Sequence, residues 1–555
     1  MNGNAWLWTV LATALAVAAC RAPGDASAPT GDRAPGPPAT ATAAANAGAL
    51  SRISPEPDWW RDRVFYEIFV RSFADSTSGP LANDGIGDFQ GLIDKLDYLN
   101  DGNPATHGDL GITGIWLMPI SPSPSYHGYD VTDYYGVNPQ YGTLDDFRRF
   151  LAEAHRRGIR VITDLVLNHS SSQHPAFKAA LRGDPGYRDR YIFVPPDQVP
   201  QTRGPWGQQV WQQADGQHFY GIFWSGMPDL NYRTSEVTAE AYRIADFWLT
   251  DVGVDGFRLD AVRHLIEDDD VMSDTPETIA WLQGFQQHVK KTSPGAITVG
   301  EIWTNTETVS EYVRGDALDL AFDFDLAGAI VDAAKSGTRD KLAYTLENVA
   351  ANYPNGRYAT FITNHDQNRV ASELREDLSR LKLAATLLLT GPGVPFLYYG
   401  EEIGQVGAKP DEMIRNPMPW TGGVNGGFTA AAQPWEPLQP GHEHRNLAMQ
   451  DSDPGSLLNH YRRLIRLRQS EPALAIGAIR VLDSGRDDVL AFERSHEERS
   501  LTVIANLSAS EIRGFRLPGA TGGFSAELLH GVDASNPGIA ALAPLTAYVF
   551  AQADQ

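Results

Sequence analysis

From Val64 onward, short and wholly apolar runs alternate with longer segments whose apolar residues recur every three or four positions. The short runs read as strands buried on both faces and the longer ones as amphipathic helices. Their alternation predicts repeated βα units around a parallel sheet. Eight runs qualify, at 64–70, 112–118, 159–165, 254–259, 296–300, 318–322, 359–363 and 394–398. The segment after Thr143 shows how clear the helical pattern becomes. Leu144, Phe147, Leu151 and Ala154 share one face, Thr143 and Asp146 have the spacing of a capping box, and Arg156 and Arg157 suit the C-terminal end. Eight such units predict an α/β chain folded as a closed (β/α)8 TIM barrel.

Two stretches break the alternation. Residues 170–233 are too irregular and too aromatic for a simple loop, and carry Trp206, Trp211, Phe219, Tyr220, Phe223 and Trp224, most of them expected in the core of a small inserted domain. Residues 473–555 change to short alternating strands with Gly-rich turns, which predicts a C-terminal antiparallel β-sandwich domain. The barrel is then assembled from 56–169 and 234–472.

The N-terminus reads differently again. Residues 6–19 are apolar but short for a membrane span, and Val17-Ala-Ala-Cys20 resembles the lipobox of bacterial lipoproteins. A signal peptide at 1–19 and lipidation of Cys20 follow, although no Lys or Arg precedes the apolar run; an ordinary signal peptide cut nearby is the alternative. Residues 20–55, rich in Ala, Pro, Gly and Thr, predict a disordered tether. The expectation is an exported monomer that meets a membrane only through this anchor, with the membrane face left open. Cys20 is also the single cysteine, so no internal disulfide forms.

The chain has 69 acidic against 45 basic residues, a net charge of −24, which repels a polyphosphate and argues against a nucleic-acid partner. Candidate chemistry sits instead at the ends of the apolar runs. Asp260 closes Gly256-Phe-Arg-Leu-Asp260, Glu301 closes Val299-Gly-Glu301, and Asp366 ends Phe361-Ile-Thr-Asn-His-Asp366. An earlier run, Val161-Ile-Thr-Asp164-Leu-Val-Leu-Asn168-His169, carries Asp, Asn and His. Carboxylates gathered at strand ends are the layout of an acid-based active site.

These four segments, in this order, resemble the conserved regions of the alpha-amylase superfamily, glycoside hydrolase family 13, and Met227-Pro-Asp-Leu-Asn231 fits as a fifth between the first and second. The form of the fifth segment resembles the group intermediate between oligo-1,6-glucosidases and neopullulanases. The resemblance implies that 170–233 is domain B and the C-terminal region domain C. It also implies that Asp260 is the nucleophile, Glu301 the general acid, and Asp366 the third acid, which holds the sugar hydroxyls and stabilises transition-state charge. His169 and His365 resemble histidines that bond sugar hydroxyls, Tyr129 the platform beneath the sugar being cleaved, and Arg263 and His264 the pair on the leaving-group side. Arg263 replaces the more usual lysine. Arg258, two residues before Asp260 on a strand, shares its face and would keep it ionised, with Asp164 as a brace.

Calcium is the implied cofactor. Asp75, Asn83, Asp84, Ile86 and Asp88 place hard oxygen donors around glycines, but residues 77–82 interrupt the pattern of metal-binding relatives, and an acidic turn without metal is the alternative. Asn168 matches a second calcium ligand of the family.

The activity implied is retaining, endo-acting hydrolysis of alpha-1,4 bonds in an alpha-glucan such as starch or a maltooligosaccharide. Ala261 follows the nucleophile where alpha-1,6-specific members tend to carry Val, and Tyr126 stands where oligo-1,6-glucosidases carry an aspartate that closes the site. Alternatives are an exo-acting alpha-glucosidase, a cyclomaltodextrinase or a transglucosylase. From a different class, a non-catalytic glycan-binding lipoprotein would need one of the three acids to be missing, and none is.

Overall fold

The computed structural model describes residues 58–268, 271–519, 524–531 and 539–552. The expected leader, the tether and Cys20 lie outside them, and among the described residues no helix is long and apolar enough to cross a membrane.

All eight expected strands form. They are β1 (Phe65–Ile68), β2 (Gly114–Leu117), β3 (Arg160–Leu165), β4 (Gly256–Leu259), β5 (Ile297–Gly300), β6 (Leu320–Ala321), β7 (Ala359–Thr360) and β8 (Val394–Tyr398). They pair in parallel in the order β7-β8-β1-β2-β3-β4-β5-β6, and a parallel bridge from Phe322 to Ala359 joins the two ends and closes the barrel. β6 and β7 are shorter than the apolar runs predict. After β6, Asp323 turns the chain by accepting the Leu326 N–H at 2.8 Å, which starts the helix Phe324–Ser336. The helix Leu144–Arg156 carries its capping box as expected, with Phe147, Phe150, Leu151 and Ala154 buried.

Alternation along the strands divides the core in two. Phe65, Trp116, Ile162, Ile297, Val299, Leu320 and Phe396 form one cluster inside the barrel, while Tyr66, Ile115, Val161, Phe257 and Leu397 pack outward with the helices. The interior is plugged by aromatic rings: Phe65 stacks on Phe396 at 4.5 Å, and Gly114 makes room, since a Cβ there would come within 2.5 Å of the Phe65 ring. Above this plug the same faces turn polar, with Glu67 on β1, Asp164 on β3 and Arg258 on β4. The ladder sets Asp164 directly beside Arg258.

The insertion contains a three-stranded antiparallel sheet, in which Gln217–Tyr220 pairs with both Phe193–Val194 and Trp211–Ala214. Phe177, Tyr191 and Phe219 form its core. Trp206 and Trp224, two of the six aromatics most of which were expected inside, are 57% and 48% exposed. So small a sheet closes its core with a few rings and leaves the remaining indoles at the surface. The C-terminal domain sets a five-stranded antiparallel sheet against a two-stranded one, over a shared core that includes Val489, Ile504, Phe515 and Phe550.

Candidate active site

Arg258 organises the site. Buried at 1% exposure, its Nη1 lies 2.6 Å from Asp260 Oδ1 and 2.9 and 3.0 Å from the Asp164 oxygens, while its Nη2 lies 2.8 Å from Glu301 Oε2. Its guanidinium rests over Trp116, 5.2 Å from the ring. Three buried carboxylates thus converge on one planar cation. Removing a partner from such a buried group costs about 3–5 kcal/mol, because a charge is left uncompensated.

Glu301 is held a second way, by the Ala261 N–H at 3.1 Å. Ala261 sits in the left-handed region at φ 48°, a conformation costly for an alanine, and it aims that amide at the acid rather than along a strand.

Burial sets the protonation of the pair. It pushes Glu301 up to about 7 against the pull of Arg258, with Asp260 and Asp366 adding to the rise. Burial also pushes Asp260 up to about 6, again opposed by Arg258. Desolvation is the larger cause of the rise in Glu301, and the neighbouring acids add to it. Asp366 goes the other way. Burial alone would raise it, but the Arg415 guanidinium, 2.9 Å from Oδ1, helps hold it down at about 2.

Tyr129 lies between these groups. Its hydroxyl donates to Asp164 Oδ2 at 3.2 Å and lies 2.6 Å from His365 Nε2. His169 is buried, with Nε2 at 3.2 Å from the Tyr129 carbonyl, and burial pushes it down to about 3, which keeps it neutral. On the other side of Asp260, Arg263 donates to the Trp303 carbonyl at 2.5 Å and pairs with Asp274, and His264 Nδ1 lies 2.6 Å from the Met272 carbonyl. All nine expected catalytic and sugar-site residues therefore border one strand-end region. Glu67, Arg415 and Trp435 belong there too and were not foreseen. Glu67 hides inside an apolar strand run. Arg415 and Trp435 come from the long connection after β8, where no strand or motif marks them.

The oxygens expected to bind calcium divide into two kinds. In the Asp75 to Asp88 loop, Asp75 accepts the Asn83 and Gly85 N–H groups at 3.0 and 2.8 Å, Asp84 accepts the Ile86 N–H at 2.9 Å, and Asp88 caps a helix through the Gly91 N–H at 2.7 Å. Only Asn83 Oδ1, among those side-chain oxygens, is buried without a partner. This is a turn that satisfies itself, and it fits a cation poorly. At the second place some oxygens are left over, although Asp229 Oδ1 accepts the Ile222 N–H at 3.3 Å. Asn168 Oδ1, Asp229 Oδ2 and Glu267 Oε1 are each buried without a partner. Tyr220, Asp229, His264 and Glu267 help line a cavity of about 20 Å³, room for one water-sized sphere. Oxygen-only donors of this kind suit calcium, although among the described residues no three His, Cys, Asp or Glu side chains gather as a metal cluster. Asp229 lies in the Met227-Pro-Asp-Leu-Asn231 segment, and that motif was the available signal.

A closed parallel barrel with acids collected past the C-terminal ends of its strands defines a carboxylate-dependent glycoside hydrolase. The family profile described as the alpha amylase catalytic domain matches residues 67–477, and the chain belongs to the alpha-amylase family. It is 39% identical over 460 residues to a protein of Dictyoglomus thermophilum named alpha-amylase 3, covering 82% of this chain and 86% of that one. It is 33% identical over 504 residues to a Mycobacterium tuberculosis protein named trehalose synthase/amylase, covering 80% and 81%. Among solved structures, the alpha-amylase from H. orenii superposes with a TM-score of 0.80 at 39% identity, over 89% of this chain and all of that one.

Proposed function

We propose that this glycoside hydrolase is an endo-acting alpha-amylase that cleaves internal alpha-1,4 bonds of starch and maltooligosaccharides with retention. Asp260 attacks the anomeric carbon, and the Arg258 contact keeps it ionised just above its raised pKa. Glu301, still protonated near pH 6.5, delivers its proton to the departing oxygen and then activates the water that releases the sugar. Asp366, anionic under the pull of Arg415, binds ring hydroxyls and offsets oxocarbenium charge. Tyr129 packs beneath the sugar, and His169 and His365 bond its hydroxyls. Arg263 and His264 border the leaving group.

The observation that carries the endo reading is at Tyr126. Its ring stacks on Trp435 at 5.4 Å and 27° and lies 6.0 Å from the Arg415 guanidinium. An aromatic wall therefore stands where a carboxylate would clamp a terminal sugar, and a flat ring can border further glucose units. The relative named alpha-amylase 3 supports the same reading. The relative named trehalose synthase/amylase favours a second one, transfer within a disaccharide. A product time course separates them: mixed short maltooligosaccharides from starch support hydrolysis, whereas trehalose formed from maltose supports the second reading.

The proposal includes structural calcium held by Asn168 and Asp229, where the ion would neutralise buried oxygens between the inserted domain and the barrel. It also includes export and lipid anchoring through Cys20, on the lipobox-like leader. Incorporation of labelled palmitate, lost in Cys20→Ala, tests the anchor.

A further inference from the structure

Glu67 projects from β1 into the polar end of the barrel, is 2% exposed, and has no part in the chemistry above. Its Oε1 lies 2.5 Å from His365 Nδ1. The far side of the ring shows where the protons are. His365 Nε2 lies 2.6 Å from the Tyr129 hydroxyl oxygen and 3.2 Å from Asp366 Oδ2. A phenol has one proton, and the Asp164 carboxylate 3.2 Å away, paired with Arg258, can only accept, so with that proton given to Asp164 the phenol oxygen accepts from His365. Asp366, ionised beside Arg415, accepts as well. Both neighbours of Nε2 are acceptors, which places a hydrogen on Nε2.

The second ring nitrogen then depends on whether the ring is charged. His365 is enclosed between the Trp116 edge at 5.5 Å and the Tyr129 ring at 5.6 Å. Burial pushes it well below the usual histidine range; Asp366 opposes this, while Arg415, Arg258 and Lys409 add to it. The ring is neutral and Nδ1 is bare, so the short contact to Glu67 needs a proton from Glu67. We infer that Glu67 is a positioning residue, a neutral carboxylic acid whose O–H donates to His365 Nδ1 and locks the tautomer that presents Nε2–H to Tyr129, Asp366 and the sugar site. The groups facing Glu67 agree. Burial raises it, and Asp366 and Asp164 add to the rise, against Arg258 and Arg415. A proton relay of fixed direction results, from Glu67 through His365 and Tyr129 to Asp164, and its end is tied to the Arg258 cation that holds Asp260.

The part played by His365 at the sugar rests on the proposed function, but its tautomer does not, and the test separates the two. In the full chain labelled with ¹⁵N-histidine, the His365 signal, assigned by its loss in His365→Asn, is expected to show Nε2 protonated and Nδ1 bare. Glu67→Gln supplies an N–H in place of the O–H, so it should keep that spectrum and a kcat within about threefold of the parent. Glu67→Leu removes the donor. It should mix the tautomers and lower kcat roughly a hundredfold with little change in KM, the scale of one pre-aligned donor. A protonated Nδ1 in the parent, or a Gln variant as impaired as the Leu variant, overturns the inference. If the Leu variant fails to fold, the parent and Gln spectra still decide it.

Discussion

Arg258 Nη2 lies 2.8 Å from Glu301 Oε2, so the cation that braces Asp260 also grips the neighbouring acid. An arginine held so close to a general acid favours its ionised form, and only deep burial keeps the Glu301 proton in place. In the proposed mechanism, the balance between desolvation and one shared cation sets which carboxyl attacks and which donates.

Asp260→Asn keeps the shape of the nucleophile and removes its charge. Hydrolysis of starch should fall by at least about 10⁴-fold, with a far-ultraviolet circular dichroism spectrum like that of the parent. Clear residual turnover in a preparation free of parent enzyme would assign the nucleophile elsewhere.

Glu301→Gln removes the proton donor and leaves the nucleophile. Starch hydrolysis should be lost, while an aryl or fluoride maltooligosaccharide, whose leaving group needs little protonation, should still release a first burst of product. Equal loss on both kinds of substrate would speak against the acid role.

The pH dependence follows from the same pair. Asp260, raised to about 6, must lose its proton to attack, so activity falls as pH drops through that value. Glu301, raised to about 7, must keep its proton, so activity falls as pH climbs past that value. The kcat/KM profile should be a narrow bell with its maximum between these limits. A flat plateau from pH 5 to 9 would show that these two groups do not govern the rate.

Calcium makes a separate forecast. A chelator should lower the Tm of the parent, and added calcium should restore it, because an ion bound to the folded chain stabilises it by mass action. Asn168→Ala should have a lower Tm that no longer responds to chelator. A chelator response that survives in this variant would place the ion elsewhere, with the Asp75 to Asp88 loop as the place to look.

The barrel and its acids were legible because each lies at an abrupt change from apolar to polar sequence, as at Leu259-Asp260 and Gly300-Glu301. The family motifs carried Tyr129, His169 and His365 the same way. Glu67 was not legible, because one acid within Phe65-Tyr-Glu-Ile68 breaks no pattern and gains meaning only from His365, 298 residues away. Arg415 and Trp435 were hidden for a related reason. They act from a connection without periodicity, and only barrel closure brings them against Asp366 and Tyr126. The exposed Trp206 and Trp224 mark the opposite error, in which aromatic content was read as core where the inserted sheet has little core to fill.

The central claim is that the Tyr126 side of the site stays open to a continuing glucan chain, and a maltoheptaoside blocked at its non-reducing end tests it most directly. The account predicts rapid internal cleavage of that substrate, with the alpha anomer released first and isomaltose left intact. Resistance of the blocked chain, together with rapid conversion of maltose to glucose, would contradict it and establish an exo-acting alpha-glucosidase instead.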